Sequence, residues 1–204
     1  MANLKRTRED ILISVVELVH QQGFQATGLK ELFAASGASS GSFYNYCPSK
    51  DELAHALIDF KWSQMRATVI DRAQTAASDP IAQVFWLINQ LEAQHLLEPD
   101  CAGCLLGNLI VDLVDRDPAF RAHLLAIFDQ WQAAIARCLQ AGQAQLQPQV
   151  APDLLAEQLL TIIEGVLLMG RLYNDDPARL RRGFALVRSV LQAALSDRSP
   201  PATP

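Results

Sequence analysis

The feature that most constrains this chain is Leu29 to Lys50, LKELFAASGASSGSFYNYCPSK, where a glycine punctuates two short runs of helical character. Leu29, Leu32 and Phe33 recur at helical spacing in the first run. Gly37 follows where a left-handed residue lets the chain turn steeply into the second run. Ser39 and Ser40 are both good N-cap residues for that second helix. Beyond them, Ser42, Tyr44, Asn45 and Tyr46 carry donors suited to phosphates and base edges, and Phe43 is available as an apolar anchor. The layout predicts a helix-turn-helix, the element with which a small helical head reads DNA.

A rival pattern shares these letters, because Gly37-Ala38-Ser39-Ser40-Gly41 satisfies the nucleophile-elbow formula of serine hydrolases. An elbow needs a buried strand before its serine, and Leu29 to Ser36 has helical spacing instead. The chain also lacks the alternation of strands and helices that an α/β-hydrolase requires.

The same stretch resembles the amino-terminal domain of TetR-type transcriptional repressors. The likeness runs through a helix beginning near Thr27, the turn Ser36-Gly37-Ala38-Ser39, the run Gly41 to Tyr46, and the closing Ser49-Lys50-Asp51-Glu52-Leu53. Three residues depart from the pattern: Phe33 replaces a common alanine, Cys47 a usual phenylalanine, and Ser40 a lysine or other larger residue. The resemblance implies that Thr27 and Lys50, at helix starts, hold phosphates, as does Tyr44. Ser39, Ser40, Ser42 and Asn45 lie on the recognition helix, where they address base edges, and Lys30 and Tyr46 complete the expected DNA-contacting set.

Charge is distributed in keeping with a one-ended contact to DNA. The 204 residues carry a net −5, yet residues 1–50 hold five lysines and arginines against four acids. A mildly basic head on an acidic body is expected to touch double-stranded DNA through the head alone. Lys5, Arg6 and Arg8 form a basic start that reaches toward phosphate. They lead into Glu9, Asp10 and Glu17 rather than a pure apolar core, so no secretory signal is read. The greasy run Leu159 to Met169 is too short to span a membrane and contains Glu164. Four cysteines in such a chain point to free thiols in a reducing cytoplasm.

Elsewhere the pattern is helical throughout, giving an all-α fold. It consists of a three-helix head over 1–49, a body of about six helices over 50–198, and a disordered tail over 199–204. Thr7 to Gln22 carries Ile11, Val15, Leu18 and Val19 on one stripe and ends at Gly23. Ser49 caps a long helix from Lys50 to about Ala76. Asp79-Pro80 and Asp117-Pro118 open two more, to about Leu97 and Gln143, and Cys104 to Val114 forms another between them. After the loop Gln147 to Pro152, helices over Asp153 to Leu172 and Pro177 to Leu195 complete the chain. The first of this pair is apolar nearly all round, so a partner face is expected to cover it. Leu159, Ile163, Val166, Phe184 and Leu191 are the expected interface of a homodimer, whose two heads would read half-sites of a palindromic operator.

The resembled family releases DNA when a small-molecule inducer enters the body. Trp62, Met65, Phe85, Trp86, Leu91, His95, Cys104, Asn108, Phe128, Trp131 and Tyr173 are candidate lining for that pocket. His95 and Asn108 are the polar members, and polar groups in an apolar interior need a partner. Cys101-Ala-Gly-Cys104 is the sharpest local feature. Cys104 falls at a helix N-terminus, where the dipole favours the thiolate. Gly103-Cys104-Leu105 resembles repressors that sense electrophiles or oxidants through a cysteine, so Cys101 and Cys104 are redox-sensor candidates, with buried inert thiols as the alternative. One CxxC supplies only two ligands, so neither a metal site nor a cofactor is expected. Cys47 and Cys138 read as packing thiols. Two other function classes compete: a helical enzyme, for which no convergent catalytic set exists, and a helical interaction module that binds no DNA.

Overall fold

The computed structural model describes residues 7–38, 40–97, 102–173 and 176–196, without the side chains of Ser40 and Ser42. The tail over 199–204 lies outside the described residues. Among the described residues the fold is all-α, and extended pairing is confined to one isolated bridge between Leu146 and Leu195. The helices are α1 (Arg8–Gln22), α2 (Leu29–Ser36), α3 (Ser40–Tyr46), α4 (Lys50–Met65), α5 (Asp71–Ala76), α6 (Pro80–Leu97), α7 (Leu105–Leu113), α8 (Pro118–Ala141), α9 (Pro152–Gly170) and α10 (Pro177–Ala193). Two compact units result, described by residues within Met1–Ser63 with Leu105–Leu124, and within Gln64–Cys104 with Leu125–Pro204.

The first unit is built on its caps. Thr7 accepts from the Asp10 amide at 3.2 Å, and Asp10 returns a bond to the Thr7 amide at 2.9 Å, closing a capping box on α1. Ile11, Leu12, Val15 and Val19 are the buried face of α1; Leu12 rather than Leu18 completes the expected stripe. Gly37 ends α2 at φ 61°, the left-handed conformation that lets α3 leave at a new angle. Phe43, fully buried, anchors α3, and Phe24, Leu32, Leu53, Leu57 and Ile58 are buried with it. Ser49 caps α4 through the Glu52 amide at 3.0 Å.

In the second unit α9 packs against α10, α10 against α6, and α6 against α5. Arg188 of α10 bonds Asn89 at 3.1 Å and pairs with Glu92, both on α6. The end of α10 is pinned where Gln147 N–H donates to Ala194 O at 2.9 Å and Ser196 N–H to Gln145 O at 2.8 Å. The helix expected from Lys50 to Ala76 is one helical run with a π-type segment over Arg66–Ile70. No glycine or proline marks this segment. No helix among the described residues is long and apolar enough to cross a membrane.

Candidate DNA interface and effector site

The exposed face of the head is set by three aromatic rings. Phe33 of α2 meets Phe43 edge-on at 4.7 Å and Tyr44 at 5.4 Å. Edge-to-face pairs of this kind fix orientation as well as burying area. Phe33, one of the three residues that depart from the family pattern, thereby orients α3 against α2. Tyr44 remains 43% exposed beside the ring that holds it, and Asn45 is exposed. Tyr46 is half-buried, and Lys30 is exposed in the first turn of α2. Ser39 lies outside the described residues, as do the side chains of Ser40 and Ser42.

Thr27 and Lys50 stand differently from the sequence expectation. The N-cap of α2 is Gly28, whose amide donates to Glu31 Oε2 at 2.7 Å. Thr27, one residue earlier, is fully buried and donates its hydroxyl to Gly23 O at 2.7 Å. Lys50 reaches from α4 to donate to Thr27 O at 2.8 Å and Gln25 O at 3.4 Å, over the Phe24 ring at 4.9 Å. Burial, with the nearby Arg116 charge, lowers its pKa. Both residues therefore shape the turn between α1 and α2.

The same turn is held from α7 by Asp112, which local sequence reasoning missed. Its Oδ2 accepts from Phe24 N–H at 2.7 Å and Gln25 N–H at 3.5 Å, and Gln25 Nε2 donates to its carbonyl at 3.1 Å. Gly23 permits this approach: it sits at φ 86°, and a Cβ there would stand 3.4 Å from the carboxylate. One charged residue thus takes the amides of the turn and another its carbonyls.

A second cluster in this unit joins α4 to α8. His55 Nδ1 lies 2.8 Å from His123 Nδ1, and His123 Nε2 lies 2.8 Å from Asp59 Oδ1. His55 stacks on Phe120 at 4.5 Å. Among the described residues no group of His, Cys, Asp and Glu is arranged to hold a metal ion.

The pocket candidates are spread over both units. Trp62 and Asn108 are buried in the first; Met65, Leu91, Cys104 and Trp131 are buried in the second. Phe85, Trp86, His95, Phe128 and Tyr173 are half-buried. His95 Nδ1 meets Leu91 O of its own helix at 2.7 Å. Phe128 stacks on Trp131 at 5.9 Å, yet the buried Trp131 Nε1 has no partner. Tyr173 lies under the Arg179 guanidinium at 3.8 Å, on the outer face of α9 and α10. Cys101 lies outside the described residues. Cys104 is buried and donates its thiol to Glu164 of α9, the lone acid in the greasy run and a site residue the sequence reading passed over. Burial pushes Glu164 up to about 7, the thiol bond offsetting part of the rise. Glu164 Oε1 is buried without a partner. Cys47 and Cys138 are pushed up mainly by burial, as packing thiols are.

Of the residues expected at a homodimer face, Leu159, Ile163, Phe184 and Leu191 are fully buried inside their own unit, and Val166 is half-buried. The outward apolar surface of α9 and α10 is carried instead by Leu168, Met169 and Leu186, each about half exposed, beside a groove of about 450 Å³ lined by Ile162, Gly165 and Val166. All-round apolarity signals burial on several sides without saying which residues turn inward.

A helix-turn-helix head joined to an all-helical body defines a class of transcriptional regulators, and comparison with known proteins gives the family. The model described as bacterial regulatory proteins, tetR family, matches residues 11–57, and the tetracyclin repressor-like C-terminal domain matches residues 80–186. The chain belongs to the TetR family and is a transcriptional regulator, not an enzyme. It is 28% identical over 173 residues to the HTH-type transcriptional repressor DhaR of Mycobacterium sp. (strain GP1), covering 83% of this chain and 85% of that relative. A second relative, the transcriptional regulator AcuR of Cereibacter sphaeroides, is also 28% identical over 173 residues, covering 83% and 78%. The crystal structure of regulatory protein TetR from Rhodobacter sphaeroides matches with a TM-score of 0.80 and 26% identity, over 90% of this chain and 96% of that one.

Proposed function

We propose that the protein is a cytoplasmic, homodimeric repressor that binds a palindromic operator and is released by a small-molecule inducer or by modification of Cys104. The carrying observation is the aromatic set Phe33, Phe43 and Tyr44, which braces α3 while leaving Tyr44 and Asn45 exposed. Ser39, Ser40, Ser42 and Asn45 address base edges, and Tyr44, Tyr46 and Lys30 address phosphate. Thr27 serves phosphate binding by setting the start of α2, whose first-turn amides face the anion. Lys50, a three-donor ammonium that gives two donors to carbonyls, offers the third to the DNA backbone.

The dimer is supported by the outward apolar surface of α9 and α10, where Gly165 has open space before it and Met169 and Leu186 stand about half exposed. Two copies packed there form a four-helix interface. Two heads then read half-sites about 34–36 Å apart, and doubled phosphate contacts make binding tight and salt-sensitive. Residues 1–49 act as the reading head and 50–198 as the effector and dimerisation part. Release is a population shift in which α4, through Lys50, and α7, through Asp112, carry the head to a spacing the operator does not accept. A gel-shift at fixed salt against the DNA flanking its own gene tests this. Retardation by wild type, weakened at least about tenfold by Tyr44→Ala, is expected. Equal affinity for unrelated DNA, or an indifferent Tyr44→Ala, contradicts it.

A further inference from the structure

We propose that Glu164 is the proton acceptor that readies Cys104 for attack on soft electrophiles of the α,β-unsaturated carbonyl class. This rests on the reading that modification of Cys104 releases DNA. Both residues lie in the second unit, and the Cys104 thiol donates to the Glu164 carboxyl. Cys104 stands immediately before α7, where the helix dipole favours a thiolate. Glu164 Oε1 is buried and unpartnered, and a buried polar atom without a partner is destabilising.

A base works best when its pKa lies near the ambient pH, and burial brings Glu164 to about 7. Burial and the thiol bond account for the shift, with no charged neighbour among its causes. The cation on this stretch is Arg171, after α9, whose stem packs beside Gly103. Near Cys47 the Glu52 charge only raises the thiol further. Cys138 donates to the Gln83 amide oxygen at 3.5 Å, and Cys47 is buried in the first unit.

The reaction is a net addition and needs no oxidant. The Cys104 S–H bond breaks and its proton passes to the Glu164 carboxylate. The sulfur electron pair forms an S–C bond at the β carbon, and the C=C pair moves to the carbonyl as an enolate. The enolate takes the proton at its α carbon, which restores the carboxylate. Glu164 has then lost its thiol donor, and with that bond gone burial favours the neutral carboxyl more strongly, so it takes up a proton from solvent.

N-ethylmaleimide labelling of the full chain from pH 5.5 to 9, read at each cysteine by mass spectrometry, tests the assignment. In wild type, Cys104 labelling is expected to rise through an inflection near pH 7 and to outpace Cys47 and Cys138. Glu164→Gln, which keeps shape and volume, is expected to slow Cys104 by about tenfold or more at pH 7.5 and to abolish the inflection. Glu164→Asp, with its base withdrawn by one methylene, is expected to restore part of both. A Glu164→Gln protein that labels with the wild-type rate and profile overturns the role of Glu164 while leaving Cys104 modification standing. Wild-type Cys104 that does not label faster than Cys47 and Cys138 overturns both.

Discussion

In the first unit, the buried Thr27 hydroxyl donates to Gly23 O, the buried Ser36 hydroxyl to Phe33 O, and Asp112 and Lys50 divide the amides and carbonyls of the turn between them. In the second unit, Trp131 Nε1 and Glu164 Oε1 are buried with nothing to bond. A buried polar atom left unpaired costs about 1–3 kcal/mol. The first unit therefore holds the turn between α1 and α2 in one firmly bonded geometry. The second unit leaves these two polar atoms unpaired at a cost to its stability.

The largest effect is expected where the turn between α1 and α2 loses its acceptor from α7. Asp112→Ala leaves the Phe24 and Gln25 amides without their carboxylate acceptor, and bonds to a charged acceptor contribute about 1.5–3 kcal/mol. Chemical denaturation is expected to show a loss of about 2 kcal/mol, accompanied by weaker operator binding. Unchanged stability with unchanged binding would mean that the turn is not held from α7.

The body responds with the opposite sign. Folding raises the Glu164 pKa from 4.5 to about 7, so the fold favours the protonated carboxyl. Its contribution is fully present below pH 4.5 and is lost as pH rises through 7. Glu164→Gln is expected to be more stable than wild type at pH 8 by about 2–3 kcal/mol, and to match it near pH 4.5. A variant less stable than wild type at pH 8 would give Glu164 a structural role and weaken the contrast between the units.

Much of the fold was legible because punctuation is local. Gly23, Gly37, Asp79-Pro80 and Asp117-Pro118 end or open helices by their own backbone chemistry, and α1, α6 and α8 begin within a residue or so of the expected positions. The site was legible only where its residues lie close in sequence, as Phe43 to Tyr46 do. Asp112 bonds an amide 88 residues away, and no local pattern reports such a pairing. Thr27 has the composition of a cap but faces inward, because Gly28 takes the cap position and Gly23 O claims the hydroxyl. Glu164 reads in sequence as an interruption of an apolar run, and only the thiol beside it gives that interruption a chemistry.

Release from DNA by a thiol reagent tests the role of Cys104 most directly. Operator-bound wild type and operator-bound Cys104→Ser are treated with N-ethylmaleimide at pH 7.5 and constant salt, and retardation is followed with time. Wild type is expected to leave the operator as Cys104 becomes alkylated, while Cys104→Ser stays bound. Release of both proteins at the same rate, or retention of fully alkylated wild type, would contradict it.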